Sequence, residues 1–203
     1  MRSKTVSRID VETRAFHAEA DAAWLRLVAP GQTPSRFDYI EQLVASYGFD
    51  APLEAALAYT PHLEGFIDVA PRFRSGLLAQ DLLAIGLSPS AIAGLRQCMI
   101  APFANVAEAC GWLYVHQRAT LLYDALRIEL IDRLPEVADA TSALHVHDGW
   151  IGIMWDDLGE IIDDIACSQA VEDRIVRAAL EAFRTTLSWY HRPLPVERGA
   201  PLS

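Results

Sequence analysis

The side chains here that have chemistry to offer are few and scattered. His17 is the most informative. It lies where Phe16, Ala20, Ala23, Trp24 and Leu27 recur at helical spacing. It sits about 100° round from Phe16, in line with Asp21 and Trp24, at the border of the buried face. A histidine there can serve a ligand or a metal, or can be a hydrogen-bonded boundary residue. His145-Val146-His147 is the only close histidine pair. Spacing places no third ligand beside it, so a surface loop is the simpler reading. Asp156, Asp157, Glu160, Asp163 and Asp164 crowd one segment. A di-metal site would need Glu-x-x-His partners on other helices. None is present, and a solvated acidic face is expected. GxSxG, P-loop, HExxH and dinucleotide GxGxxG motifs are absent.

The elements that must position these residues read as helices. The first pattern runs from about 10 to 28, before Ala29-Pro30-Gly31. Ser35 caps a second helix over about 36–47 that Gly48 ends, and Pro52 opens a third to about 58. Residues 63–69 are a short helix or a loop. Pro71 precedes a helix stopped by Gly86, and Ser88-Pro89 begins a short one to about 97. Ala101-Pro102 opens the longest pattern, to about 134, with Gly111 its one breaker. Some thirty helical residues would span roughly 45–50 Å. Such a helix bends, and Gly111 is a candidate for where. Residues 149–166 and 171–190 are the last two helices. No stretch shows sustained period-two alternation. The expectation is an all-α, single-domain bundle of seven to nine helices over 1–203, with a core at about 12–190 and a loose tail at 193–203.

Composition narrows the function classes. The chain has 203 residues, 52% hydrophobic and 22% charged, which suits one globular domain with a sizeable core. The formal net charge of -10 disfavours nucleic acid and anionic membranes. Residues 1–10 lack the apolar core of a secretory signal. The most apolar window, 99–115, is interrupted by Pro102, Asn105 and Glu108, so no membrane span is expected. Cys98, Cys110 and Cys167 are widely spaced without a CxxC pair, and read as reduced thiols of a cytoplasmic protein.

The order of several motifs carries a resemblance. Thr13-Arg14-Ala15-Phe16-His17 is followed by Tyr39, Leu43, Tyr47-Gly48 and Pro52-Leu53-Glu54. Then come Arg72-Phe73-Arg74 with Leu78, Asp81-Leu82 and Ile85-Gly86, Gly111-Trp112-Leu113-Tyr114-Val115, Trp155, Phe183 and Trp189. Over about 12–190 this set resembles the bacterial heme oxygenases, an all-helical family. The resemblance implies that His17 is the proximal ligand of a heme iron. It also implies that Gly111 begins the distal helix, and that Arg177 and Arg184 on the last helix can meet heme propionates.

The family continues Y-V-x-E-G-S-T-L-G-G, whereas residues 114–123 read YVHQRATLLY. Thr120 and Leu121 remain, but Arg118, Leu122 and Tyr123 replace the three glycines and Ala119 the small polar residue. Positions 118 and 122 share a helix face. Glycine there lets backbone approach a flat ligand. Arginine and leucine fill that volume, and extra atoms in a packed pocket cost about 1–3 kcal/mol. His116, two positions from Arg118, falls on a different side of the helix. Three readings follow from the resemblance. Heme is opened to biliverdin, carbon monoxide and iron with electrons from a partner reductase. In that case His17 ligates iron, Arg118, Leu122 and Tyr123 line the heme, and Arg118 and Thr120 supply the distal polar groups. Alternatively the pocket takes a smaller or linear tetrapyrrole, or heme without turnover. In the third reading side chains fill the pocket and the protein acts through a protein partner.

Overall fold

A computed structural model describes residues 3–147 and 149–191; the tail expected at 193–203 lies outside them. The described residues form eight α-helices and no strand, the all-α bundle expected from periodicity. None of these helices is long and apolar enough to cross a membrane.

Helix α1 spans Lys4–Leu25, six residues earlier at its start than periodicity indicates. The Ser3 hydroxyl accepts from the Val6 amide at 3.0 Å, and Asp163 accepts from the Lys4 and Thr5 amides at 3.0 and 2.9 Å. These acceptors satisfy amides that a helix start leaves unpaired. One of them comes from a distant helix, so local sequence could not locate this start.

Helix α2 spans Arg36–Ala58 without a break. The expected stop at Gly48 and restart at Pro52 do not occur, and one contact explains why. Proline lacks an amide hydrogen, so Pro52 leaves the carbonyl four residues back without its helical donor. That carbonyl belongs to Gly48, and it accepts from the Cys98 amide at 2.7 Å. Gly48 is a close-approach residue rather than a cap. A Cβ there would lie 2.4 Å from the Arg96 carbonyl oxygen and 2.8 Å from Trp189 Cζ2. Because α2 is continuous, it enters two hydrophobic clusters. Tyr39, Ile40, Leu43 and Val44 join one, and Phe49, Leu53 and Leu57 the other.

Helix α3 covers Ser75–Ala84 and α4 covers Pro89–Ala93. The helix expected from Pro71 begins later, after a 3-10 turn at Ala70–Arg72. The single long helix expected over about 101–134 is two. Helix α5 spans Val106–Ala119, opened by the Asn105 side chain accepting from the Glu108 amide at 3.1 Å. Helix α6 spans Tyr123–Arg133, and a 3-10 turn at Thr120–Leu122 joins them. Helices α7 (Ile151–Ile165) and α8 (Gln169–Tyr190) close the bundle.

The break is at Thr120–Leu122 and not at Gly111. Every residue from Ala109 to Gln117 is buried, so α5 is the central helix. It packs most extensively on α8, which also carries α1. A Cβ on Gly111 would meet the Ile175 carbonyl oxygen at 2.5 Å, Ala178 Cβ at 2.6 Å and the Ala179 amide nitrogen at 2.6 Å. Gly111 therefore lets two backbones approach each other. Gly111→Ala should destabilise the protein by about 1–3 kcal/mol through forced separation of α5 and α8. Gly152 in α7 faces open space, and Gly152→Ala should stabilise by about 0.5–1 kcal/mol. Urea unfolding of the two variants checks the contrast; equal effects would remove the α5–α8 explanation.

Candidate functional site

Between α1, α2, α5 and α8 lies a small, partly open cavity of about 40 Å³. One water takes up about 30 Å³ of liquid, whereas sites for drug-sized molecules run to roughly 300–1,000 Å³. The cavity therefore has room for about one water. Its walls include Trp24, Phe49, Tyr123, Phe183 and Tyr190, and its polar lining is Asp21, Arg118, Asp50, Arg74, His116 and Thr186.

Arg118 and Asp21 close one side. The guanidinium donates to the two Asp21 oxygens at 2.7 and 2.9 Å, and lies 6.0 Å from the Phe183 ring. This fork ties α1 to the C-terminal end of α5, and both side chains are mostly buried, so Arg118 is not a solvated surface residue. His17 sits one turn before Asp21, outside the cavity wall, with its ring 5.3 Å from that of Phe183. Its Nε2 is 3.0 Å from the Thr13 hydroxyl, which lies 2.7 Å from the Ile9 carbonyl oxygen. That carbonyl can only accept, so the hydroxyl proton goes to it and the hydroxyl must accept from His17 Nε2–H. The network thus assigns the proton to Nε2. Burial and the charge of Arg118 hold the His17 pKa below its ordinary value.

The remaining residues implied by the resemblance disperse. Tyr123 lines the cavity, fully buried against Trp24 at 5.8 Å and beneath Arg74 at 5.2 Å. Thr120 is buried but does not border the cavity, because its hydroxyl donates to the Gln117 carbonyl at 2.7 Å in the turn. Leu122, in the same turn, packs into the cluster of α2, α3 and α6 and away from the cavity. Exposed Arg177 donates to the Asp173 carbonyl at 3.3 Å, and exposed Arg184 lies 5.9 Å from the Phe16 ring. Neither reaches the cavity. The α5–α6 break explains the departure of Thr120 and Leu122, since it ends the regular helical register that put positions 118 and 122 on one face.

His116 borders the same cavity as Arg118, contrary to the helical-wheel expectation. It belongs to a buried polar cluster that sequence reasoning missed. Arg74 donates to Asp50 through Nε at 2.5 Å and Nη2 at 3.2 Å, and to the His116 carbonyl at 3.1 Å. Glu54 accepts from the Arg74 and Ser75 amides at 2.7 and 3.0 Å and from the Ser75 hydroxyl. The His116 ring stands between the carboxylates, Nδ1 3.5 Å from Asp50 Oδ1 and Nε2 3.7 Å from Glu54 Oε1. Beside it, buried Arg72 donates to Gln117 Oε1 at 3.0 Å, to the Met154 carbonyl at 2.9 Å and to Asp157. Arg72, Arg74 and Glu54 of the resemblance are thus buried ties between α2, α3, α5 and α7. The usable signal was Asp50 and Glu54 at i,i+4 on one helix face. The expected break at Gly48–Pro52 concealed it.

One further expectation changes and one largely holds. His147 is buried while His145 is exposed, so the pair does not form one loop surface. The acidic face expected on α7 is present for the most part: Asp156, Asp157, Glu160 and Asp164 are exposed, Asp157 also pairing with Arg72, while Asp163 caps α1.

The arrangement does not fit a heme. The space is about one water in size, Arg118 and Tyr123 occupy its wall, and His17 Nε2 is committed to Thr13. No protein-family model matches the chain, and no curated protein does.

Two measurements check this electrostatic layout. Arg118→Gln should raise the His17 pKa, read from the imidazole Cε1 proton by NMR titration; an unchanged value would detach Arg118 from His17. Burial works against the Asp50 carboxylate, but Arg74 and then His116 outweigh it and bring its pKa down to about 2. Its contribution to stability is complete above the ordinary value of 3.8 and is lost as pH falls through about 2. Arg74→Met, which leaves Asp50 buried and unpaired, should cost about 3–5 kcal/mol at pH 7 in urea unfolding. A loss below about 1 kcal/mol, the scale of an exposed pair, would contradict a buried pair.

Proposed function

We propose that this chain is a non-catalytic relative of the heme oxygenases that works through a protein partner, its ligand space filled by its own side chains. The observation that carries this reading is the Arg118–Asp21 fork across a cavity of about 40 Å³. An ion pair between α1 and α5 holds together the two helices that a flat ligand would have to separate. The reading also draws on the commitment of His17 Nε2 to Thr13, and on Arg118 and Tyr123 where close approach would require glycine. The partner-facing surface in this reading is the outer face of α7. Trp150 and Ile153 are 64% and 59% exposed there, followed by exposed Asp156, Glu160 and Asp164. An apolar contact beside carboxylates selects a basic partner.

One observation favours the heme-opening reading instead. His17 is held toward its neutral form, the form in which imidazole ligates metals. A hemin titration separates the two. The non-catalytic reading expects no sharp Soret band and no biliverdin absorbance when reductant and oxygen are added. A sharp band that disappears in His17→Ala, together with biliverdin formation, would overturn it. Replacing Arg118 and Tyr123, the two of these positions that border the cavity, together by glycine should tighten hemin binding by about tenfold or more. Unchanged affinity would mean that these side chains are not what excludes the ligand.

A further inference from the structure

A groove of about 490 Å³ lies between α8 and the segment that links α4 to α5. Sites for small organic molecules span roughly 300–1,000 Å³. The groove shares no lining residue with the cavity beside Arg118. Trp189 borders it, 5% exposed, with its indole nitrogen donating to the Ala45 carbonyl at 2.8 Å. The facing segment is held at Gly48. The Cys98 amide donates to the Gly48 carbonyl at 2.7 Å, and the Arg96 carbonyl oxygen lies 2.4 Å from where a Cβ on residue 48 would stand. Both walls are thus fixed by contacts within the fold.

Two guanidiniums border this groove, and the fold gives neither a carboxylate. Arg96 lies over the Trp189 ring at 4.5 Å, and Arg184 lies 5.9 Å from the Phe16 ring. Among the described residues neither guanidinium makes a hydrogen bond or an ion pair. By contrast, Arg8, Arg72, Arg74, Arg118 and Arg133 each reach a carboxylate oxygen in this chain of net charge -10. Stacking on an aromatic face holds the plane of a guanidinium and leaves the N–H donors at its edge unspent. Thr185 and Ser188 also border the groove, and their hydroxyls make no hydrogen bond among the described residues. Glu181, Arg184, Thr185 and Ser188 recur at the spacing of one helix face.

We propose that this groove binds a small aromatic monocarboxylic acid. Its carboxylate accepts from Arg96 and Arg184, whose planar donor forks match carboxylate geometry. The hydroxyls of Thr185 and Ser188 are further donors on the same wall. Met99, 97% exposed, lines the groove and offers a thioether to an aromatic body. Glu181 limits the charge that the groove accepts. One carboxylate beside two guanidiniums leaves a single positive charge, which suits a monoanion and disfavours a polyphosphate. The inference is independent of the proposed partner-binding role, because no α7 residue borders the groove.

The test titrates 2-naphthoate into the full chain by calorimetry at low salt, with 2-naphthalenemethanol as the uncharged counterpart. One 2-naphthoate per chain should bind, and the alcohol should bind about tenfold or more weakly. Arg96→Gln and Arg184→Gln should each weaken 2-naphthoate by about fivefold or more, and Glu181→Gln should tighten it. Circular dichroism checks folding, and because Arg184 is exposed its variant keeps the test readable if Arg96→Gln does not fold. Absence of uptake by the wild type, equal affinity for acid and alcohol, or unchanged affinity in folded Arg184→Gln would overturn the proposal. So would inorganic phosphate binding as tightly as 2-naphthoate, because the groove would then read charge alone.

Discussion

Arg74 cannot sit in the interior of this protein without Asp50, and much of the architecture follows from where that pair is anchored. The guanidinium takes both oxygens of a carboxylate on α2 and also donates to a carbonyl on α5, just ahead of α3. One residue thereby sets the relative position of three helices. Removing either partner would strand a buried charge, so the three elements move together or not at all. Glu54, a turn further along α2, closes the start of α3 through backbone amides. The same helix passes through both hydrophobic clusters, so the ion pair lies where the two apolar regions meet.

Around that knot the close approaches are made by glycine. Gly48 admits the Arg96 carbonyl and the edge of Trp189, and Gly111 admits the backbone of α8. Both glycines belong to the motifs that resemble heme oxygenases, and both serve packing between elements of this chain. The resemblance is therefore carried by residues that build the bundle. Positions 118 and 123, which the resemblance would put beside a ligand, form an ion-pair latch and part of an aromatic wall in this chain.

The helical content, the amphipathic first helix and the presence of the last two helices were legible in the sequence. Apolar residues at helical spacing require only that one face be buried. The candidate site was legible only in pieces. His17 and Arg118 were visible as single residues, and Tyr123 as a departure from a motif. Asp50, Glu54 and His116 were not, because their meaning depends on α2 running on past Pro52. That continuity comes from the Cys98 amide, forty-six positions away. Thr120 and Leu122 left the site for a related reason. The step from α5 to a 3-10 turn rotated them out of the face that an unbroken helix would have given them.

Local sequence by itself determined the fold class, since periodicity, the Ser35 cap, the Ser88-Pro89 start and the absence of strand patterns are properties of neighbouring residues. Only the tertiary structure decided where helices begin and break, and which polar side chains share the interior. Those outcomes depend on partners remote in the chain: a carbonyl released by proline and claimed by a distant amide, and carboxylates held by arginines from other elements. A buried polar group must find its partner somewhere, but nothing local says where.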